Sequence, residues 1–318
     1  MSGTFFLAAT LFLGWILSPE ALVITSNLAG KGGILSPAIL AGACLFSFLC
    51  LLLSHYQNED KDASSVEMII LGGFGLAAAV SPALFIPTGI LVTSGFTFNE
   101  TFLYWFPNFG FSGLLLLIIL VIHLIGDGAA NAAQRIFSTV AFLGIFIIIL
   151  VGLLSPAAME VETQTAVEGT QAFNVFGASL LLFLGAFHMP LTKISPIRLF
   201  LILTGGVLLL GLWQLTAIKF VTGEKLAVTT IPYIFVAREA MGQAGRIIIG
   251  ITIIFGTLAA VNYFFLIAVR QARKLLGNVL PSQNNKTTGR VVALLLSVGI
   301  AFCMASGLAG EDHLETYI

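Results

Sequence analysis

The feature that most constrains this chain is a series of long apolar runs that carry few charges. Of the 318 residues, 58% are hydrophobic and only 9% are charged, and the mean hydropathy is +1.04. A soluble domain of this size cannot bury so much apolar surface, so we expect lipid to be its solvent. Because the runs are continuous rather than alternating, they predict an all-α polytopic membrane protein and not a barrel.

Hydropathy divides the chain into about nine membrane-spanning helices. The predicted spans cover residues 4–29, 34–54, 67–95, 110–126, 129–154, 172–195, 197–221, 243–273 and 289–309. The stretch 225–240 is too polar to span and is predicted to form a surface helix. We therefore expect one transmembrane domain over residues 1–318, with a short tail at 310–318.

The first span contains the sequence Ser18-Pro19-Glu20 near its middle. Proline removes a helical hydrogen bond, and an ionisable group inside a span is costly, but both are tolerated where a helix unwinds beside a cavity. These residues predict a helix break at Leu17–Glu20 and a central site. In the alternative interpretation the span starts late, with Pro19 as its first residue and Glu20 as an interfacial acid.

Composition and motifs exclude several classes of function. The net charge of −1 gives no reason to expect nucleic acid as a partner. The chain has no phosphate-binding loop, no paired cysteine ligands and no nucleotide-binding fingerprint, so we expect neither an enzyme nor a bound cofactor or metal. The three cysteines lie in apolar runs, where small buried residues are expected: Cys44, Cys50 and Cys303.

The ordered set of segments resembles the amino acid–polyamine–organocation (APC) superfamily of permeases. The likeness is carried by "FLGWILSPEALVITSNLAGKGG" with the span after it, "NAAQRIFSTVAFLGIFIIILVGLL", "FGASLLLFLGAFHMP" and "IIFGTLAAVNYFFLIAVRQARKLLGNVLP". These segments resemble the family's first and second, fifth, sixth and eighth helices, and they occur in the same order. The resemblance covers most of the chain.

The resemblance implies a LeuT-type inverted-repeat fold with a first repeat at about 4–154 and a second at about 172–309. Substrate would bind at the broken first and sixth helices, so the implied substrate-binding residues are Ser18, Pro19, Glu20, Phe187 and His188. A second break is expected near Phe187–Pro190. Glu20, His188 and Thr257 are the implied candidates for coupling an ion to transport.

The chain differs from that family in two respects. About nine spans leave the second repeat without its last core helix, so we expect a partner subunit or a second copy to pack on 289–310. The family's first break is rich in glycine, whereas this one holds Pro19 and Glu20. Pro19 has no backbone N–H to donate to a substrate carboxylate, and Glu20 would repel that carboxylate. Glu20 therefore favours a cationic amine group.

Two functions are consistent with these patterns. The first is a secondary transporter of amino acids, amines or related small organic solutes by alternating access. The second is a non-transporting membrane subunit on a degenerate transporter scaffold that anchors partner proteins. Among other polar residues, we expect His123 to lie in a solvated interface, and Asn262 and Gln214 to link helices.

The distribution of Lys and Arg predicts the orientation in a plasma membrane or bacterial inner membrane. The densest basic cluster, Arg270, Arg273 and Lys274, would lie in the cytoplasm with the N-terminus, and the acidic C-terminus would lie outside. We expect a cysteine introduced at Gln283, in a background without other accessible thiols, to be protected from membrane-impermeant maleimide in intact cells. Labelling from outside before permeabilisation would contradict this orientation.

Overall fold

The computed structural model describes residues 3–57, 65–103, 106–156, 169–183, 186, 194–279 and 285–307. Within these ranges the chain is helical and contains no β-strand, which confirms the predicted all-α class. The helices are α1 Gly3–Ile16, α2 Pro19–Gly32, α3 Ser36–Gln57, α4 Ser65–Thr101, α5 Asn108–Ile125, α6 Asp127–Leu154, α7 Gly169–Leu181, α8 Pro196–Phe220, α9 Gly223–Val228, α10 Pro232–Val279 and α11 Asn285–Ala305.

In this described part of the chain, seven helical segments are long and apolar enough to cross a membrane. They are Pro19–Leu53, Ser81–Thr101, Asn108–Ile125, Asp127–Leu154, Pro196–Phe220, Pro232–Arg273 and Lys286–Ala305. Two shorter apolar helices are Phe5–Ile16 and Ala172–Leu181. These shorter helices belong to the first and sixth predicted spans, the two in which a break was expected. A helical membrane protein with several spans is thus supported, while the count of nine stays a prediction.

The chain folds as two compact units, and each unit is built from two separate parts of the sequence. The first unit contains Met1–Glu59 and Ser138–Gly256, and the second contains Asp60–Phe137 and Thr257–Ile318. Each half of the sequence therefore contributes its first helices to the first unit and later helices to the second. The helices α6 and α10 have residues in both units.

In the first unit, α2 is the central helix. It packs against α7, α8 and α9, while α3 packs against α7 and α8. Glycines allow close contact between these helices: Gly206 of α8 lies against Phe12 and Ile16 of α1, and Gly30 of α2 lies against the backbone of α9. Small residues at helix contacts are the usual means by which membrane helices approach each other closely.

The end of α6 is held by a lysine from another helix of the first unit. Lys219 Nζ donates to the carbonyls of Gly152 and Leu153, each at 2.9 Å, and to that of Ser155. The last carbonyls of a helix have no intrahelical donors, and a cation near them also interacts favourably with the helix dipole. Lys219 therefore caps α6 and connects it to α8.

In the second unit, α4, α5 and α11 pack against one another. Ser112 of α5 donates to the carbonyl of Leu91 in α4 at 2.6 Å, and Gly95 lies against Asn108. Gly126 connects α5 to α6 in a single residue with a φ of 136°. That backbone conformation is strained for any residue with a side chain, so the tight connection requires glycine.

The outer face of α11 carries large apolar residues as well as some of the small residues that were expected to receive a partner at 289–310. Gly299 lies against Leu84 of α4, and Cys303 is buried. Ala305 is exposed, and so are the following large apolar residues of this helix: Val291, Leu294, Leu295, Val298 and Phe302. Large apolar side chains are suited to lipid contact, and the packing partner at 289–310 stays a prediction.

Gly242 interrupts α10 with a φ of 62° and a ψ of −142°. The segment before it, together with α9, covers most of the polar stretch 225–240. Within this stretch, residues 229–231 are not helical, and Leu226, Tyr233 and Val236 are buried, so a surface position for it stays a prediction. The apolar part of α10 then continues from residue 243 to Val279.

We expect substitution of Gly30 by Ala to destabilise the first unit. An added Cβ would lie 2.5 Å from the carbonyl oxygen of Gly223 and 2.7 Å from the amide nitrogen of Ala227, so the backbone of α9 would have to shift. The expected cost is about 1–3 kcal/mol, measured as a lower melting temperature in detergent. Gly205→Ala in α8 is the control, since open space surrounds Gly205 and the change should be neutral or stabilising. Equal melting temperatures for Gly30→Ala and the parent protein would contradict the contact.

Candidate functional site

Two helices meet end to end at the interruption predicted in the first span. α1 ends at Ile16 and α2 begins at Pro19, and Ser18 between them is extended, with a φ of −64° and a ψ of 154°. Pro19 has no N–H to continue the helix, and it disfavours helical geometry at Ser18. Ser18 Oγ instead accepts the N–H of Ala21 at 3.2 Å and caps α2. The helix break predicted at Leu17–Glu20 is confirmed.

The break is enclosed by protein. Leu17 and Ser18 are both 0% exposed, Pro19 is buried, and both carboxylate oxygens of Glu20 are inaccessible to solvent. Pro19 is the first residue of its helix, as the late-start alternative expected. The short apolar helix α1 precedes it and both Glu20 carboxylate oxygens are buried, but the candidate span itself starts at Pro19, so the late-start interpretation stays a prediction.

The break presents more hydrogen-bond acceptors than donors. The N–H groups of Leu17 and Ser18 donate back to the carbonyls of Leu13 and Trp15, each at 3.0 Å, which tightens the last turn of α1. The end of α1 carries the negative pole of its helix dipole, and Glu20 adds a carboxylate in the first turn of α2. Few donors remain at the break, because Pro19 has no N–H and the N–H of Ala21 already donates to Ser18 Oγ.

A glycine of α10 lies directly against the break. A Cβ added to Gly256 would overlap the carbonyl oxygen of Leu17, so only glycine allows this approach. Sequence reasoning missed Gly256. A glycine inside an apolar helix was the available signal, but many glycines in this chain lie in such helices, so the signal alone could not select this one.

A second helix end lies in the same unit. α7 stops at Leu181, and the chain turns at 182–183, where the N–H groups of Leu182 and Phe183 bond to Ser179 and Leu180 at 3.2 and 3.0 Å. The sixth predicted span is therefore interrupted well before residue 195. Phe187 and His188, with the break expected near Phe187–Pro190, lie outside the described residues.

The two helix ends are connected by the side chains of α1. Trp15 Nε1 donates to the carbonyl of Leu182 at 2.9 Å, and the ring of Phe12 stacks on that of Phe183 with 6.4 Å between centroids. Trp15 is only 6% exposed. The Leu182 carbonyl, which follows the end of α7, thus accepts from Trp15, one residue before the end of α1, and the two helix ends are in direct contact.

Asn262 and His123 connect three helices of the second unit. Asn262 Nδ2 donates to the Ala130 carbonyl at 3.0 Å and to Gln134 Oε1 at 2.8 Å, while its Oδ1 lies 3.0 Å from His123 Nε2. The expected helix-linking role of Asn262 is confirmed. The expectation for His123 was wrong, because the ring is 6% exposed and hydrogen-bonded within the second unit.

Gln214 also links helices, as expected, because its Nε2 donates to the carbonyl of Thr25 in α2 at 3.4 Å. Thr257 follows Gly256 in α10 and is 0% exposed, and its Oγ1 has no hydrogen-bond partner among the described residues. Within the same described part of the chain, no three His, Cys, Asp or Glu side chains converge as metal ligands.

No protein-family model and no curated protein matches this sequence. The geometry of the helix ends is therefore the ground for any statement about function.

We expect Trp15→Phe to destabilise the protein by about 1–3 kcal/mol, because the buried Leu182 carbonyl loses its donor while the apolar ring volume is largely kept. Melting in detergent measures the loss. Trp213→Phe is the matched control, since it removes an indole that donates to Ser26 Oγ at 3.0 Å elsewhere in the unit. Both variants should melt earlier, but only Trp15→Phe should raise the reactivity of a cysteine placed at Ser18. Unchanged reactivity at Ser18 would mean that Trp15 does not hold the two helix ends together.

Proposed function

We propose that this chain is an APC-like secondary transporter that moves small organic solutes carrying an amine by alternating access. The observation that carries the proposal is the pair of helix ends in the first unit, joined by the hydrogen bond from Trp15 to Leu182. Interrupted helices expose backbone polar groups, which membrane proteins tolerate only inside the protein or beside a polar cavity. Transporters use such ends, near the middle of the bilayer, to bind their substrates.

The order of the helices supports an inverted-repeat fold. In each half of the sequence an interrupted apolar helix is followed by a continuous one: α1 and α2 precede α3, and α7 precedes α8. In each half these helices belong to the first unit, and subsequent helices belong to the second. Such a division is what two related repeats would produce.

The chemistry of the break favours a cationic group on the substrate. The end of α1 and the carboxylate of Glu20 both carry negative charge, and Pro19 removes an amide that a carboxylate would need. Ser18, Pro19 and Glu20 would line the site from the α1–α2 side. Phe187 and His188 would line it from the segment after α7. A primary amine or diamine fits this set better than an acidic amino acid.

For coupling, the candidates are Glu20, His188 and Thr257. A carboxylate and an imidazole inside a span suit a proton relay, since both change charge on protonation. The buried hydroxyl of Thr257 suits a sodium ligand, because hard cations prefer oxygen donors. The protein would lie in the plasma membrane or bacterial inner membrane with its N-terminus in the cytoplasm.

The direct test is uptake by proteoliposomes that contain the purified chain. We expect radiolabelled putrescine or lysine to accumulate when an inward proton or sodium gradient is imposed, and glutamate to remain outside. Glu20→Gln should reduce uptake at least about tenfold, since loss of a buried countercharge to the amine costs more than ~1.4 kcal/mol. Glu224→Gln, which changes an exposed acid of α9, is the control and should transport normally.

Absence of accumulation for all three solutes, in a protein that melts cooperatively, would overturn the proposal. A stable co-purifying membrane protein in that case would favour the non-transporting subunit. Full activity of Glu20→Gln with an unchanged preference for amines would overturn the assignment of Glu20.

We expect Thr257→Val to abolish stimulation of uptake by sodium if sodium is the coupling ion, and to leave stimulation by protons intact. Valine matches the shape of threonine and removes only the hydroxyl. Thr252→Val is the matched control in the same helix, because the Thr252 hydroxyl already donates to the Ile248 carbonyl at 2.8 Å. Sodium stimulation that persists in Thr257→Val would exclude this hydroxyl as a ligand.

A further inference from the structure

Three arginines of the second unit converge on the junction between α5 and α6. Arg270 and Arg273 belong to α10, and Arg290 belongs to α11. Arg270 donates to Asn131 Oδ1 at 3.0 Å, Arg290 donates to the carbonyl of Leu124 at 2.9 Å, and Arg273 forms an ion pair with Asp127. We call Arg270, Arg273 and Arg290 the arginine cluster.

The three arginines connect α10 and α11 to the same junction. Gly289 lies against the guanidinium of Arg273, so the residue that precedes Arg290 in the chain contacts a neighbouring arginine head. Like charges that converge on one junction repel each other and need counter-charge. Asp127 is the only carboxylate that the described residues bring to the cluster, and its side chain is 54% exposed. The cluster therefore keeps a net positive charge.

The cluster lies at the level where candidate spans end. Helix α5 ends at Ile125 and α6 begins at Asp127, while α10 extends to Val279 and α11 begins at Asn285. The arginine cluster thus lies beside the α5–α6 junction and within about two turns of the ends of α10 and α11. Basic groups at this level meet lipid headgroups, and each adds about 1 kcal/mol of attraction to an anionic surface.

An exposed apolar stripe runs along α5 and ends at the cluster. Its members recur at helical spacing on one face: Leu114, Leu117, Val121, Leu124 and Ile125. The stripe is about 16 Å long at 1.5 Å per residue, close to half the thickness of the hydrocarbon core. Beyond it, a Cβ added to Gly126 or Gly128 would meet open space, so the junction has room for a bulky group.

We propose that the arginine cluster binds the headgroup phosphate of an anionic phospholipid, with one acyl chain along the α5 stripe. The arginines supply several N–H donors to the phosphate oxygens, since each protein contact described above uses only part of a guanidinium. The apolar stripe distinguishes a lipid from a free phosphate, because a soluble anion would use the charge and leave the stripe unused. This site is separate from the transport proposal and needs no transport activity.

Native mass spectrometry of the purified full-length chain tests the site. In a detergent solution with equal amounts of dioleoyl phosphatidylglycerol and phosphatidylcholine, we expect retained lipid to be mainly phosphatidylglycerol. The double variant Arg270→Gln, Arg290→Gln should lower retention of phosphatidylglycerol about 25-fold, because each lost charge should weaken binding about fivefold and the two effects multiply. Arg238→Gln, at the other end of α10, is the control and should retain the parental amount. Equal retention of both lipids, or unchanged retention in the double variant, would overturn the site.

Two further measurements separate the alternatives. Asp127→Asn keeps a hydrogen-bonding partner for Arg273 and removes the carboxylate, so we expect phosphatidylglycerol retention to rise about fivefold. A variant that merely misfolded would not give a gain, and a loss of retention here would count against the proposal. Glycerol 1-phosphate at the same concentration should fail to displace the lipid. Displacement by this soluble anion would show a phosphate site without lipid specificity.

Discussion

Inside a bilayer every backbone N–H and C=O must find a partner within the protein, and Pro19 removes one donor in the middle of the first apolar run. The arrangement of the first unit follows from this loss. Ser18 leaves the helical conformation and uses its hydroxyl to cap α2, and the last turn of α1 tightens onto Leu13 and Trp15. The break then has to be covered, and Gly256 provides a backbone without a side chain that lies against the Leu17 carbonyl.

The same requirement explains why a single polar side chain makes several hydrogen bonds to neighbouring helices. Asn262 donates both of its N–H groups, so its oxygen must accept, and His123 must carry its proton on Nε2. Lys219 satisfies three carbonyls at the end of α6 with one ammonium. Each of these groups connects two or three helices. In an apolar solvent that offers no competing partners, such contacts specify which helices are neighbours.

The two proposed sites use opposite electrostatics in different units. At the break in the first unit, helix-end carbonyls and Glu20 make the surroundings negative, which suits an amine. At the α5–α6 junction of the second unit, three arginines face a single carboxylate, which suits a phosphate. A transporter of amines that also holds an anionic lipid would keep its two ligands apart by charge alone, since neither site would attract the other's ligand.

The sequence by itself determined the local events. Long apolar runs required helices, and Pro19 with Glu20 marked the position where the first helix had to stop, because the missing N–H acts on its own turn whatever the tertiary structure. Packing partners could not be read in the same way. The approach of Gly256 to Leu17, the donation from Trp15 to Leu182 and the burial of His123 all depend on which helix lies beside which. Residues distant in sequence supply those neighbours, and one apolar helix face resembles another until the chain is folded.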